Sequence, residues 1–180
     1  MARKLVYAEI TAQRLTAEEA KTTPRHPVII LLDNIRSLYN VGSIFRICDA
    51  VRAEKLILTG YTPHPPRKEL EKTALGAIDS VPWEYVKNPV DAVNALKKTG
   101  VTIAALEQTD GSIPYDNISS KNIPLCIIIG NEISGVRSEL VEIADIALEI
   151  PMYGVKHSLN AAVACGIAAF EAVKACKIKN

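Results

Sequence analysis

Three short polar islands hold the side chains of this chain best suited to chemistry: Asn40 and Arg46 in NVGSIFR, Glu132 in GNEISGV, and Ser158 and Asn160 in the loop IPMYGVKHSLN. An arginine stays protonated across ordinary pH. Its guanidinium therefore suits clamping a phosphate or stabilising an alkoxide through charge-assisted hydrogen bonds better than it suits taking a proton. Each residue also has a plainer use. Asn40, Ser158 and Asn160 sit where helices begin, where Asn and Ser are favoured caps, and Arg46 would serve in an ion pair with Asp49 or Glu132. One island alone amounts to turn chemistry. Three of them, each directly after an apolar run, form the pattern of a ligand site.

Several familiar chemistries are absent. GNEISG lacks the GK[ST] ending of a P-loop, and no GxGxxG follows the first apolar run, so neither standard nucleotide fingerprint is present. There is no HExxH, no GxSxG and no Cys/His quartet; His26, His64 and His157 are scattered, which excludes the usual metal and acyl-transfer arrangements. The cysteines Cys48, Cys126, Cys165 and Cys176 contain no CxxC pair and fall in apolar periodic segments, so they read as reduced core thiols.

The elements that must position the islands are short and largely β-branched: 28–32 (VIILL), 55–59 (KLILT), 101–106 (VTIAAL), 125–129 (LCIII) and 145–150 (DIALEI), with 81–86 (VPWEYV) a further candidate. Such runs are strands covered on both faces. Helical stretches at 41–51, 68–76, 89–98 and 136–143 alternate with them, giving an α/β fold with an open, mostly parallel sheet and helices on both faces. Ligands in such sheets sit beyond the carboxyl ends of the strands, where the islands lie. A last helix, about 160–176, is apolar nearly all round and must be covered by the sheet or by another subunit.

Residues 1–26 form an N-terminal appendage, with Thr16 and Glu19 in capping-box spacing and TTPRHP ending the helix; residues 27–180 form the main domain. At 180 residues and 48% hydrophobic content the chain supports one proper core. A net charge of +1 announces no nucleic-acid partner globally, so any such partner is met by a local patch. Arg3, Lys4, Arg14, Lys21 and Arg25 gather toward the front, a pattern that a solvated face explains as well as RNA contact does. No stretch has the pattern of a signal peptide or a membrane span, which leads us to expect a cytoplasmic protein.

Taken in order, NVGSIFR, GNEISGV and IPMYGVKHSLNAAVACGI resemble the three ordered motifs of the SpoU-type (TrmH-like) branch of the SPOUT RNA methyltransferases, and the intervening KTALGAIDSVPW is similar to a segment of that family. The resemblance covers about residues 27–176. It implies a C-terminal trefoil knot, S-adenosylmethionine as methyl donor, a ribose 2′-hydroxyl of tRNA or rRNA as acceptor, and a homodimer built on the last helix and the helix after the first strand. Neither a metal nor a membrane is implied. By the family's pattern Gly130, Ile150 and Leu159 contact the adenosyl group, with Met152 and Leu106 beside them. Arg46 activates or clamps, Asn40 orients Arg46 or the ribose, Glu132 organises its loop, and Ser158 and Asn160 position donor and ribose. Two rival readings are a SPOUT enzyme acting on a base nitrogen, and a nucleotide- or RNA-binding module that keeps the pocket without catalysis. NxGxxxR together with SLN favours the ribose-modifying branch, and the intact set of five polar residues argues against loss of catalysis.

Overall fold

Burial on both faces explains why the strands read as unbroken apolar runs. In the computed structural model, which describes residues 2–177, strand β1 (His26–Asp33) sends Val28, Ile30 and Leu32 into one core and Ile29 and Leu31 into another. Two short helices precede it, α1 (Tyr7–Ala12) and α2 (Ala17–Thr22), the second capped by Thr16, whose hydroxyl accepts from the Glu19 amide while Glu19 accepts from the Thr16 amide. After β1 come α3 (Leu38–Ala50), β2 (Ala53–Thr59), α4 (Lys68–Ala74), α5 (Ala77–Ser80), β3 (Trp83–Val86), α6 (Pro89–Lys98) and β4 (Thr102–Leu106). The chain finishes with β5 (Ile113–Pro114), β6 (Leu125–Ile129), α7 (Ser138–Ile143), β7 (Ile146–Glu149) and α8 (Ala161–Lys177).

The strands form one seven-stranded sheet in the order β3-β2-β1-β6-β4-β7-β5, and every neighbouring pair is parallel. The expected runs all appear as strands, with their ends moved by at most two residues, and 81–86 supplies edge strand β3. Three elements depart from the sequence reading. The segment 68–76 stops at Ala74 because Leu75 and Gly76 both take positive φ, and the chain re-enters a separate short helix. The two-residue β5, paired with β7, carries too little pattern to announce itself, as does the one-and-a-half-turn α1.

Helices α3, α4, α5 and α8 cover one face and α6 and α7 the other. α8 lies on α3, β1 and β6, which buries Cys165, Ala168, Ala169 and Ala172, so the sheet and α3 account for most of its apolar surface. Cys48, Cys126 and Cys165 are buried, and none of the four cysteines is joined in a disulfide among the described residues; burial pushes the Cys165 thiol up to about 12. α3 and α4 approach closely at Gly42, where an added β-carbon would stand 2.5 Å from Thr73 Cβ. Among the described residues no helix is long and apolar enough to cross a membrane, and no group of His, Cys, Asp and Glu has the arrangement of a metal site.

Register decides what the sheet can hold. Leu32 of β1, Ile129 of β6, Leu106 of β4 and Leu148 of β7 form one continuous row across the sheet. At about 4.8 Å between neighbouring strands, the chain therefore leaves the sheet at four adjacent points within roughly 14 Å. Behind this row, Phe45 on α3 is fully buried and meets Trp83 edge-on with ring centroids 6.5 Å apart. Replacing Phe45 with Ala removes a ring that the surroundings refill only in part, and is expected to cost roughly 3–5 kcal/mol. Urea unfolding followed by circular dichroism measures it, with a lower midpoint and an unchanged slope.

Candidate active site

At the row of strand ends, three loops meet through side-chain amides and one carboxylate. Glu132, in the loop after β6, accepts from the backbone amides of Arg36 (2.9 Å) and Ser37 (3.0 Å) and from Asn40 Nδ2 (2.7 Å). Asn40 Oδ1 accepts from Asn160 Nδ2 at 3.0 Å. Asn160 Oδ1 accepts in turn from the Ala162 and Val163 amides, capping α8. The relay fixes the orientation of both asparagine amides, because reversing either would set donor against donor or acceptor against acceptor.

The local sequence explains why Asn40 is free for this relay. Ser37, not Asn40, caps α3: its hydroxyl accepts from the Asn40 amide at 3.3 Å, which leaves Asn40 as the third residue of the helix with its side chain turned to Glu132 and Asn160. At α8 the cap is Asn160 and not Ser158. Burial by itself would raise the Glu132 carboxyl, but the amides of Arg36 and Ser37 and the side chain of Asn40 stabilise its anion, and the balance holds it below the ordinary carboxylate range.

A second set of bonds fixes the loop after β6. Asn131 Oδ1 accepts from the amides of Ile133 and Ser134, its Nδ2 donates to the Asn34 carbonyl and the Tyr61 hydroxyl, and its backbone bridges to Gly135. Buried Asp33, at the end of β1, takes Arg137 Nη2 (2.7 Å) and Nε (2.9 Å). Glu107 Oε2 accepts from the Val136 amide at 2.8 Å. The loop is folded so tightly that a β-carbon at Gly130 would fall 2.1 Å from the Val136 nitrogen, which only glycine avoids. Gln108 Nε2 donates to the His157 carbonyl (2.7 Å) and ties the last loop to β4.

Between these loops lies a crevice of about 350 Å³. Leu106, Gly130, Ile150, Met152 and Leu159 line it, as do Glu132, Ser158 and Asn160. Asn40 stands behind its wall, bonded to Glu132 and Asn160. Arg46 does not join them: it lies six residues further along α3, roughly 9 Å up the helix axis at 1.5 Å per residue, exposed and outside the crevice. Among the described residues it forms no ion pair, neither with Asp49 nor with Glu132. Asn131, Glu107, Gln108 and the Asp33–Arg137 pair were not singled out by sequence. Asp33 is a lone charge closing an apolar run, which was a usable signal; its partner 104 positions away was not.

The crevice offers two kinds of surface. Leu106, Ile129, Ile150 and Leu159 present an apolar slot suited to a flat heterocycle. The loop 151–159 makes no backbone–backbone hydrogen bond among the described residues, so apart from the His157 carbonyl, which Gln108 takes, and Pro151, which has no N–H, its backbone groups remain available to a ligand. Apolar walls with a few convergent polar groups, within the roughly 300–1,000 Å³ of small-molecule sites, are what a nucleoside needs.

Comparison with known proteins points the same way. The SpoU rRNA Methylase family matches residues 27–170. The tRNA (guanosine(18)-2′-O)-methyltransferase of Aquifex aeolicus is 36% identical over 148 residues, which are 81% of this chain and 68% of that protein. The crystal structure of the A. aeolicus TrmH/SpoU tRNA modifying enzyme superposes with a TM-score of 0.81 at 32% identity, covering 91% of this chain and 82% of that one. An AdoMet-bound rRNA methyltransferase from Sinorhizobium meliloti gives a TM-score of 0.77 at 32% identity, covering 86% of this chain and 59% of that one.

The depressed Glu132 carboxyl makes a signed prediction. Its contribution to stability is fully present above the ordinary glutamate value of about 4.3 and is lost as pH falls through its lower folded value. The Glu132→Gln protein is therefore expected to be less stable than the parent at neutral pH, and the gap is expected to narrow below about pH 4. Urea midpoints for both proteins between neutral and acid pH measure this; a constant gap contradicts it.

Proposed function

We propose that this chain, which belongs to the SpoU rRNA methylase family, transfers a methyl group from S-adenosylmethionine to a ribose 2′-hydroxyl of tRNA or rRNA. One observation carries the proposal: the three motif loops, distant in sequence, are joined by the Glu132–Asn40–Asn160 relay around one nucleoside-sized crevice. Residues 27–180 act as the transferase domain and residues 1–26 as its appendage. The knotted C-terminal topology goes with the same reading, as does a cytosolic setting, which suits four cysteines that form no disulfide among the described residues.

When bound, the donor supplies a methyl group activated by the sulfonium from which it departs. Ile150, Leu159, Leu106 and Met152 hold the adenosyl group by apolar contact, and the backbone at Gly130 and along 151–159 reads the edge of its base. Ser158 and Asn160, at the crevice rim, position the acceptor ribose. Glu132 has all its bonds committed to α3, so its part is to organise the site.

Arg46 is assigned to the acceptor side, where its charge clamps an RNA phosphate and steadies the oxygen as its proton leaves. Its place outside its own chain's crevice suits a homodimer in which α3 of one protomer completes the site of the other. The exposed Val163 and Phe170 on α8 and Tyr39 on α3 supply apolar surface for that contact.

Calorimetry is expected to detect binding of S-adenosylmethionine and not of NAD or ATP, and radiolabelled methyl groups are expected to appear on ribose in bulk tRNA or rRNA. Arg46→Ala and Arg46→Lys are expected to lower single-turnover transfer by roughly 10²–10³ with donor binding intact. Donor binding without transfer to either RNA contradicts the enzymatic reading, and near-normal chemistry in both variants removes Arg46 from the mechanism.

A further inference from the structure

We infer that Tyr61 is a fixed stacking platform for an unpaired RNA base next to the crevice, so that the protein prefers single-stranded over duplex RNA; the inference rests on the function proposed above. Tyr61 lies in the turn after β2, on the edge of the sheet that carries the crevice, and the residue is 61% exposed. Such exposure is ordinary for a mobile surface ring. This ring is held at both ends. Its backbone amide donates to Asn34 Oδ1 at 3.1 Å, and its hydroxyl accepts from Asn131 Nδ2 at 2.8 Å.

The next residue locks the turn further. Thr62 is buried, its hydroxyl accepting from the Ile35 amide at 3.0 Å and donating to the Leu32 carbonyl at 3.4 Å. The preceding residue, Gly60, takes φ +63°, and a β-carbon there would run into the Asn34 side chain. The aromatic face is thus presented to solvent without freedom to collapse, and the entropy of ordering it has already been lost in folding. Base stacking on such a face is tolerant of sequence because every base has a π-surface.

Asn131 connects this platform to the site. It lines the crevice, donates to Tyr61, and accepts from the amide of Ile133, an exposed residue of the same loop. The charges nearby suit a phosphate backbone. Arg36 precedes α3, Arg67 and Lys68 close the loop that Tyr61 opens, and the Lys87 carbonyl accepts from the Gly60 amide at 3.3 Å. All four are exposed, and among the described residues none of their side chains is in an ion pair or hydrogen bond. Of the neighbouring acids, Asp33 is committed to Arg137, Glu132 to the start of α3 and Glu84 to Lys55, while Glu69 and Glu71 on α4 stay exposed. A second aromatic pair, His64 and Tyr85 with centroids 4.5 Å apart, stiffens the same loop, the Tyr85 hydroxyl donating to the Gly60 carbonyl at 2.7 Å.

The test compares the parent with Tyr61→Ala, Tyr61→Trp and Tyr61→Phe, using fluorescence anisotropy on a labelled 12-nucleotide single-stranded oligoribonucleotide of mixed sequence and on its duplex. The loss of one stacked base predicts that Tyr61→Ala binds the single strand roughly 5- to 150-fold more weakly, with duplex binding and S-adenosylmethionine affinity unchanged. Tyr61→Trp and Tyr61→Phe, which keep an aromatic face and lose the tie to Asn131, are both expected to bind the single strand between Tyr61→Ala and the parent. Equal losses for single strand and duplex, retained binding in Tyr61→Ala, or weakened binding accompanied by a changed sedimentation coefficient would each overturn the inference, the last by assigning the ring to a protomer contact. A parent protein that binds donor and transfers methyl groups to RNA while Tyr61→Ala behaves normally removes the platform alone; a parent that transfers to no RNA removes the proposed function beneath it.

Discussion

The site depends on one polar relay, from the amides that open α3, through the Glu132 carboxylate and the Asn40 amide, to Asn160 and the first turn of α8. Each group in it is used in one sense only. Glu132 accepts three bonds, Asn40 donates at one end and accepts at the other, and Asn160 donates to Asn40 while accepting from its own helix. An aspartate in place of Asn40 would set two acceptors against each other, and an aspartate in place of Asn160 would do the same one step further along. The relay also lies between a helix start carrying partial positive charge and a carboxylate that prefers it, so electrostatics and geometry act in the same sense.

Parallel pairing makes so short a relay possible. Because β1, β6, β4 and β7 share one register row, their carboxyl ends release the chain at neighbouring points, and residues 92 to 120 positions apart come within hydrogen-bond reach. The buried Asp33–Arg137 pair and the Glu107–Val136 bond then brace the loop after β6 from both sides. The last loop is held more lightly, by Gln108 at His157 and by the cap at Asn160, with Tyr153 and Val155 fully open to solvent. The crevice thus has two braced walls and one wall held by few bonds.

Most of the sheet was legible because apolar runs such as VIILL and LCIII have only one use, burial on both faces, and their ends then locate the islands. The membership of the crevice was legible only through the resemblance to the SpoU-type motifs, which implied Gly130, Ile150, Leu159 and Asn160; the apolar pattern by itself located only the strand ends that those motifs follow. What stayed hidden is pairwise. That Ser37 and not Asn40 caps α3 is settled by a competition between two adequate caps, won because Asn40 has better partners across the sheet. Asn131, Glu107 and Tyr61 carry no local signature, because their roles are defined by residues far away in the chain. The two-residue β5 is stabilised by its neighbour β7 and not by its own pattern.

The chemistry assigned to this chain separates along the same line as its structure. In the function proposed above, the crevice holds the donor and the exposed Arg46 on α3 serves the acceptor. The most direct measurement is a crystal structure of the protein grown with S-adenosylmethionine. The account predicts density for the adenosyl group against Ile150 and Leu159, with its base edge on backbone atoms of Gly130 and the 151–159 loop. Density for the donor at any other place, or an unchanged crevice in crystals grown at saturating donor, would contradict it.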